Sequence, residues 1–270
     1  MLSNVLIVSE ILQPKQPIML SLQQQIQDAA ELMQECKRVV ALTGAGISTE
    51  SGIPDFRSPG SIWQQEPPVS YHDFISKPEA RQKYWQTRRS LSAQVAAARP
   101  NAAHLALAEL ERKQLLQGII TQNFDGLHHD AGNNADRIIE LHGTSRAAAC
   151  TLCGKRSSIK ELQQRVDTGE VDPTCPDCGG YLKAATILFG QRVPEVDLTR
   201  ARELVSSCDL FLVVGSSLKV TPAATLPRIA LNNNVPLIII NQQPTPLDDY
   251  AEVAIHEKAG AILPPIVALV

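Results

Sequence analysis

Residues 38–48 read RVVALTGAGIS, an apolar run that ends in a glycine-rich turn. The run predicts a buried strand at 38–43, and Gly44-Ala45-Gly46 is typical of a tight connection from a strand to a helix. Two glycines allow backbone amides to approach a pyrophosphate, and a following helix would direct its N-terminus toward that charge. The two glycines alone are a weak signal, since a tight strand–helix turn would also favour them.

The turn departs from the dinucleotide-binding pattern of ordinary dehydrogenases. Thr49 stands where the third glycine of that pattern is expected. No acidic residue ends the second strand at the expected distance of about 20 residues. The sequence therefore disfavours an ordinary dehydrogenase-type Rossmann domain.

Other apolar runs alternate with helical patterns along the chain. Met19 begins a helical pattern, with Leu22, Ile26, Ala29, Met33 and Cys36 on one face. Asn101 is a candidate N-cap for a helix over AAHLALAELERKQLL. Strands rich in Val, Ile and Leu that alternate with helices indicate a parallel sheet covered on both faces. The later predicted strands are 118–122, 138–141, 210–214, 236–240 and 252–255.

Four of the six cysteines form two C-x2-C pairs, Cys150 with Cys153 and Cys175 with Cys178. Each pair places two thiolates on a tight turn, and two such turns complete a tetrahedral zinc site. Four sulfur ligands leave no open position, so this zinc would hold the fold and would not take part in the reaction. Two disulfides or a redox pair are the alternatives. Cys36 and Cys208 are predicted to be small core residues.

The cysteine pairs interrupt the strand–helix alternation. We therefore predict an α/β fold with a Rossmann-like parallel sheet, helices on both faces and a small zinc-binding insertion domain. The predicted boundaries are an N-terminal extension and helix start at 1–30, a Rossmann-like domain at 31–143 and 188–270, and a small zinc-ribbon-like domain at 144–187.

Composition excludes several classes of function. The 270 residues include 25 Lys+Arg and 28 Asp+Glu, a net charge of -3, and only 4% aromatic residues. This balance argues against nucleic acid as a partner, since nonspecific binding needs excess basic side chains and stacking needs aromatic ones. The longest apolar runs are far shorter than the ~20 residues of a membrane span. The N-terminal residues lack the features of a signal peptide. We expect no membrane partner and a cytoplasmic protein.

Polar residues end several predicted strands, at the edge where parallel sheets bind ligands. His142 lies between an apolar run and a glycine, where it would be well placed as a general base. A hydrogen-bonded structural histidine is the alternative for that residue alone. The conjunction of several polar strand ends favours a ligand-filled cleft. The polar strand ends are 121–125, 141–143, 215–217 and 241–243.

Six ordered motifs together resemble the sirtuins, the NAD-dependent protein-lysine deacylases. The matching stretches are GAGISTESGIPDFR (44–57), TQNFDGLHHDAG (121–132), ELHG (140–143), the four cysteines, GSSLKVTPA (215–223) and NQQPTPLDD (241–249). They occur in the family order over most of the chain.

The resemblance implies a site and its chemistry. His142 would be the catalytic base, NAD would be consumed as a co-substrate, and one zinc ion would be structural. The acyl-lysine carbonyl oxygen would attack the nicotinamide ribose and expel nicotinamide, after which His142 would remove a proton from a ribose hydroxyl. The products would be free lysine and O-acyl-ADP-ribose. The implied cofactor-binding residues are Gly44, Ala45, Gly46, Ile47, Glu50, Asp55, Phe56, Arg57, Gln122, Asn123, Phe124, Asp125, Gly215, Ser216, Ser217, Asn241, Gln242, Gln243 and Ala259.

The resemblance also implies acyl-lysine proteins or peptides as substrates. The stretches RQKYWQTR (81–88), PNAAH (100–104) and GAILPPI (260–266) resemble the class II branch. The substrate-pairing loop retains Phe189 and Gly190, whereas the acidic residue of the usual FGE is Gln191. Three positions after Tyr84, where the desuccinylase branch has an arginine, this chain has Thr87. This difference argues against a preference for substrates with acidic acyl groups. ADP-ribosyl transfer to a protein, an NAD-sensing scaffold and a nucleic-acid-binding zinc ribbon are the alternative functions.

Overall fold

The computed structural model describes residues 20–55 and 67–270. The predicted cofactor residues Phe56 and Arg57 lie outside the described residues, as do residues 1–19 of the predicted N-terminal extension. Within the described part, the strands are β1 (Val39–Thr43), β2 (Leu116–Thr121), β3 (Ile138–Glu140), β4 (Gly143–Cys150), β5 (Arg156–Ser158), β6 (Leu182–Thr186), β7 (Leu210–Val214), β8 (Leu237–Ile240) and β9 (Val253–Ile255).

Helices connect most of these strands. The described α-helices are α1 (Leu22–Gln34), α2 (Tyr71–Ser76), α3 (Pro78–Ala97), α4 (Ala102–Arg112), α5 (Leu127–Asp130), α6 (Ile159–Asp167), α7 (Glu195–Ser207), α8 (Leu226–Asn232) and α9 (Ala259–Leu269).

Six strands form one parallel sheet in the order β3-β2-β1-β7-β8-β9. All five residues of β1 are buried, and its side chains alternate between two cores. Val39 and Ala41 belong to the core under α1, α4 and α9, whereas Val40 and Leu42 belong to the core under α7 and α8. Burial on both faces explains why the central strands are continuous apolar runs. The predicted Rossmann-like sheet is confirmed.

Local sequence signals account for the helix starts. Asn101 caps α4, because its side chain accepts from the backbone N–H groups of Ala103 (3.0 Å) and His104 (3.4 Å). On α1, Ala29 and Met33 are fully buried as predicted, whereas Leu22 is 43% exposed in the first turn. The glycine turn continues as a 3-10 helix, Ala45–Ser51, in place of a regular α-helix.

A second, antiparallel sheet in the order β5-β4-β6 lies in the predicted insertion. Its core contains Ala148, Leu162 and Leu182, together with Trp85 from α3, which is 2% exposed. Trp85 thus shares a core with residues 148–182, whereas the sequence assigned residues 31–143 to the large domain as one piece; the domain boundaries stay a prediction. No helix in the described part of the chain is long and apolar enough to cross a membrane.

Candidate active site

The glycine turn packs against the end of a neighbouring strand. Gly46 donates a backbone hydrogen bond to the carbonyl oxygen of Gly215, at 2.8 Å, directly after β7. A Cβ on Gly44 would stand 2.7 Å from that same oxygen, so a side chain has no room there. Gly215 has a φ of +64°, which favours glycine, and a Cβ on it would collide with the backbone of Gly46 and Ile47. The two strand ends thus expose backbone to a common opening.

That opening is a cleft of about 1290 Å³ along the carboxyl ends of the parallel strands. Its walls come from loops that are distant in sequence and also from the segment after β6. Seventeen residues predicted from the sequence line it: Gly44, Ala45, Gly46, Asp55, Gln122, Asn123, Phe124, His142, Phe189, Gly190, Gly215, Ser216, Ser217, Asn241, Gln242, Gln243 and Ala259.

Three other predicted cofactor residues do not line the cleft. Ile47 is fully buried in the core beneath α1 and α4. Glu50 points to the start of α9, where its Oε2 accepts from the backbone N–H of Gly260 at 2.8 Å. Asp125 is 6% exposed and accepts from the Ser48 hydroxyl (2.8 Å) and from the backbone N–H of Leu127 (2.9 Å). Ile47 and Asp125 are therefore buried behind the wall of the cleft, whereas Glu50 is exposed to solvent.

Asn123 is held by hydrogen bonds on both its backbone and its side chain. Its backbone N–H donates to Thr121 Oγ1 at 3.0 Å. Its Nδ2 donates to the carbonyl oxygen of Gly44 (3.0 Å) and to Ser48 Oγ (3.1 Å). The strand-end amide is therefore tied to the glycine turn across the cleft floor. Ser48 connects it to the buried carboxylate of Asp125.

His142 lines the same cleft, just after β3. Its Nδ1 lies 2.9 Å from the carbonyl oxygen of Gln122, so Nδ1 carries the hydrogen and Nε2 carries the lone pair. Burial lowers the pKa of His142 below its usual value, and the hydrogen bond to Gln122 opposes part of that shift. The ring is therefore neutral at pH 7 and able to accept a proton at Nε2.

The segment after β6 forms one edge of the cleft. The backbone N–H of Ile187 donates to the carbonyl oxygen of His142 at 2.7 Å, and Phe189 accepts at its carbonyl oxygen from Tyr71. The Phe189 side chain is 52% exposed. This segment thus places an exposed aromatic ring and a stretch of backbone beside His142.

Several cleft residues were missed from the sequence. Apolar ones such as Leu188 and Leu198 cannot be distinguished from core residues by their type. Four consecutive residues lie in the quoted GSSLKVTPA motif, so the motif was the available signal for them. The missed lining residues are Ile187, Leu188, Gln191, Arg192, Val193, Glu195, Leu198, Lys219, Val220, Thr221, Pro222, Ile240, Pro244 and Glu257.

The four paired cysteines converge at the end of the small sheet. Their Sγ atoms all lie within 4.8 Å of one another. The Sγ–Sγ distances are 3.5 Å for Cys150 and Cys178 and 4.0 Å for Cys153 and Cys175. A tetrahedral zinc with Zn–S bonds of about 2.3 Å separates its sulfurs by about 3.8 Å. All four are free thiols, so the donor set fits zinc and the disulfide alternative is not observed.

Comparisons with known proteins agree with this geometry. The model of the Sir2 family matches residues 44–222. "NAD-dependent protein deacetylase 2" of Streptomyces coelicolor is 44% identical over 232 residues, which cover 84% of this chain and 95% of that protein. "NAD-dependent protein deacylase 2" of Archaeoglobus fulgidus is 40% identical over 250 residues, 91% of this chain and 96% of that protein.

Solved structures show the same likeness. One described as "Structural Basis for the Mechanism and Regulation of Sir2 Enzymes" has a TM-score of 0.82 and 40% identity, and covers 92% of this chain and 98% of its own. Another, "Sir2-p53 peptide-NAD+", has a TM-score of 0.82 and 34% identity, and covers 90% of this chain and 97% of its own.

Proposed function

The chain belongs to the Sir2 family, and from this we propose that it is an NAD-dependent protein-lysine deacylase. The reaction would convert an acyl-lysine, NAD and one water molecule into free lysine, nicotinamide and O-acyl-ADP-ribose. Similar proteins carry the deacetylase or deacylase name, and similar structures contain peptide and NAD. The proposed substrates are therefore acyl-lysine peptides or proteins.

One observation in particular supports this proposal: a neutral histidine, with no hydrogen bond to its Nε2 from the described residues, lies in the same cleft as the glycine turn. NAD, when bound, supplies a ribose carbon from which nicotinamide can leave. The residues of this chain would bind the phosphates and remove the proton. Backbone groups at Gly44, Gly46 and Gly215 would face the phosphates, since side chains are excluded there. His142 would remove a ribose hydroxyl proton through Nε2.

The nicotinamide end is proposed to lie at Asn123, with Asp125 supporting it from behind. The amide of Asn123 is fixed by Gly44 and Ser48, so little reorganisation is needed when a ligand enters. The opposite end, at Ser216 and Asn241, would hold the adenosine side. Both are buried strand-end residues that line the cleft.

The zinc proposed at the four cysteines would be structural. The four sulfurs take all four tetrahedral positions, so no position is left for water or substrate. Reduced cysteines persist in the cytoplasm, which is the compartment we propose.

Membership of the class II branch and a preference for uncharged acyl chains are finer parts of the proposal. The class II-like stretches 81–88, 100–104 and 260–266 support the first part. For the second, Trp85 is buried in the core of the small domain, and Tyr84 accepts through its hydroxyl from the backbone N–H of Ala184. Arg88 donates to the carbonyl oxygen of Ser145 at 3.0 Å. These contacts with the protein's own backbone and core support the proposal that Tyr84, Trp85 and Arg88 do not form a site for an acidic acyl group.

The proposal is tested by mass spectrometry of reactions with NAD and a panel of acyl-lysine peptides. The panel contains acetyl, butyryl, longer-chain, lipoyl and succinyl groups. We expect nicotinamide and O-acyl-ADP-ribose from uncharged acyl groups, and neither product from His142→Ala, which should still bind NAD and keep its melting temperature. A modified protein in place of O-acyl-ADP-ribose would indicate ADP-ribosyl transfer. NAD binding without any product would indicate a sensing role.

A further inference from the structure

Two buried histidines, His104 and His128, lie behind the cleft wall, and the proposed reaction uses neither. His104 is fully buried in the first turn of α4, and His128 is 2% exposed on α5. Their ring centroids are 5.0 Å apart. Neither histidine was identified from the sequence as a site residue.

The hydrogen bond at one nitrogen of His104 determines the state of the other. Its Nδ1 accepts from the backbone N–H of Asn101 at 3.4 Å, as part of the cap of α4. The hydrogen of a neutral ring must then sit on Nε2. Within the residues that the structure describes, this buried Nε2 has no hydrogen-bond partner. His104 therefore offers an unused donor.

The same reasoning makes His128 an unused acceptor. Thr43 Oγ1 donates to Thr121 Oγ1 at 2.8 Å, so its hydrogen is already committed. The 2.9 Å contact between Thr43 Oγ1 and His128 Nε2 is then a bond that the histidine donates. The hydrogen of His128 sits on Nε2, and its buried Nδ1 carries a lone pair without a partner among the described residues.

Both rings are uncharged, so each has one donor and one acceptor. Burial lowers the pKa of His104 to about 4 and that of His128 to about 3. Buried polar atoms are nearly always hydrogen-bonded, and a lone donor beside a lone acceptor is the simplest way to satisfy two of them. The two nitrogens do not bond to each other directly, so a single buried water between the rings would satisfy both.

We propose that His104 Nε2–H is linked to His128 Nδ1 through one buried water, and that the linked pair positions Asn123 in the cleft. The inference rests on the proposed function, because it concerns the residue placed at the nicotinamide end. Both histidines are positioning residues, since they act on Asn123 through other side chains.

The proposed link completes a ring of hydrogen bonds that begins and ends at the cleft. On one side, Asn101 Nδ2 donates to the carbonyl oxygen of Ile47 at 2.7 Å, in the glycine turn. On the other side, Thr121 Oγ1 accepts from the backbone N–H of Asn123. Asn123 returns to the turn through Gly44. Every other step of this ring is an observed hydrogen bond, and only the step between the histidines is inferred.

The first test examines the link without requiring turnover. In protein labelled with 15N-histidine, long-range 1H–15N spectra at pH 7 report which ring nitrogen carries hydrogen. We expect Nε2–H on both His104 and His128. Hydrogen exchange of the Asn123 amide should be at least about 10-fold faster in His128→Phe, which keeps a buried ring but removes the bond to Thr43.

The second test separates positioning from packing. Thr121→Val removes the hydroxyl that accepts the Asn123 N–H. Thr144→Val is the matched control, because Thr144 is 7% exposed and its hydroxyl accepts from the backbone N–H two residues on, that of Arg146, at 3.3 Å. We expect Thr121→Val to lower kcat by about 10- to 100-fold with a smaller change in the KM for NAD, since misplacement affects the reacting geometry. Thr144→Val should keep kcat within about twofold.

The possible outcomes are distinct. A hydrogen on Nδ1 of His128, or an imidazolium at pH 7, would overturn the link. Unchanged Asn123 exchange in a folded His128→Phe, or a fall in melting temperature with kcat unchanged in Thr121→Val, would overturn the positioning role. If the wild-type protein forms no product with any peptide, the proposed function fails, and the spectra and exchange rates still decide the inference.

Discussion

The position of Gly215 requires glycine, both for its backbone conformation and for the space around it. Its φ of +64° lies in the left-handed region, and its backbone lies against Gly46 and Ile47 of the turn after β1. Gly132 has a φ of +97°, but a Cβ added there would meet nothing within 4 Å, so only the backbone conformation favours glycine at that position. The GxG turn and Gly215 are therefore needed together, because the backbone of each occupies the space that a side chain on the other would need.

The environment of His142 predicts how kcat/KM depends on pH. A base works only when unprotonated, so kcat/KM should rise with pH through its pKa. Because burial lowers the pKa of His142, the acid limb of the profile should lie below pH 6.5, the usual pKa of histidine. The measurement is kcat/KM between pH 4.5 and pH 9 for the best peptide of the panel, at assay pH values chosen about half a unit apart.

The control for this profile is His72→Gln, because His72 is an exposed histidine on α2. This variant should show the same acid limb as the wild type. An acid limb centred above pH 7 would contradict the proposed state of His142, since it would require a raised pKa.

At the scale of the element, α3 is joined to residues of the predicted small domain by ion pairs as well as by Trp85. Arg81 is 3% exposed, donates to both oxygens of Asp172 at 2.7–2.9 Å, and lies 3.6 Å from the ring centroid of Tyr181. Its Nη1 also donates to the carbonyl oxygen of Phe74. The guanidinium thus connects α2, α3 and the loop before β6.

Removing the partner of Arg81 should be costly. Asp172→Ala leaves a buried guanidinium without its carboxylate, and we expect a loss of about 3 kcal/mol in the free energy of unfolding by urea. The matched control is Asp167→Ala, which breaks the exposed pair between Arg89 and Asp167, with side chains 59% and 50% exposed. That change should cost less than about 1 kcal/mol. Equal losses in the two variants would show that Arg81 does not depend on Asp172.

For the whole molecule, zinc is expected to hold α3 and the predicted insertion in one core. The cysteines come from the end of β4, the turn after it and the loop before β6, and Trp85 of α3 packs in the same core as Cys150 and Cys175. Metal affinity at a four-thiolate site is folding free energy, so removing zinc should loosen this domain.

This expectation has a direct optical measurement. In a Trp63→Phe background, Trp85 is the remaining tryptophan of the two in the chain. We expect one zinc per chain, a red shift of Trp85 emission and loss of deacylation with chelator, and recovery of both when zinc is added back. Cys175→Ala should behave as the zinc-free protein does. Unchanged Trp85 emission in zinc-free protein would contradict a structural role for the metal.

Local sequence patterns were enough to predict the strands of the parallel sheet, the cap of α4 and the metal site. The apolar runs predicted each strand of the parallel sheet to within about two residues, because a strand buried on both faces needs apolar side chains throughout. Asn101 was recognisable as a cap and the cysteines as a metal site, because caps and C-x2-C turns act over a few residues. Seventeen cleft residues were predicted because they follow strands or lie in motifs.

Contacts between distant residues decided the rest. The side chains of Ile47 and Asp125 are buried behind the cleft, and that of Glu50 is exposed, because the direction of a loop side chain depends on what packs against it. The packing of α3 against the predicted small domain includes the contact of Arg81 with Asp172, 91 positions later. The rings of His104 and His128 come close to each other only when α4 and α5 have packed on the sheet. Hydrogen-bond satisfaction in a buried space is a property of three-dimensional neighbours, and neighbours in sequence do not specify it.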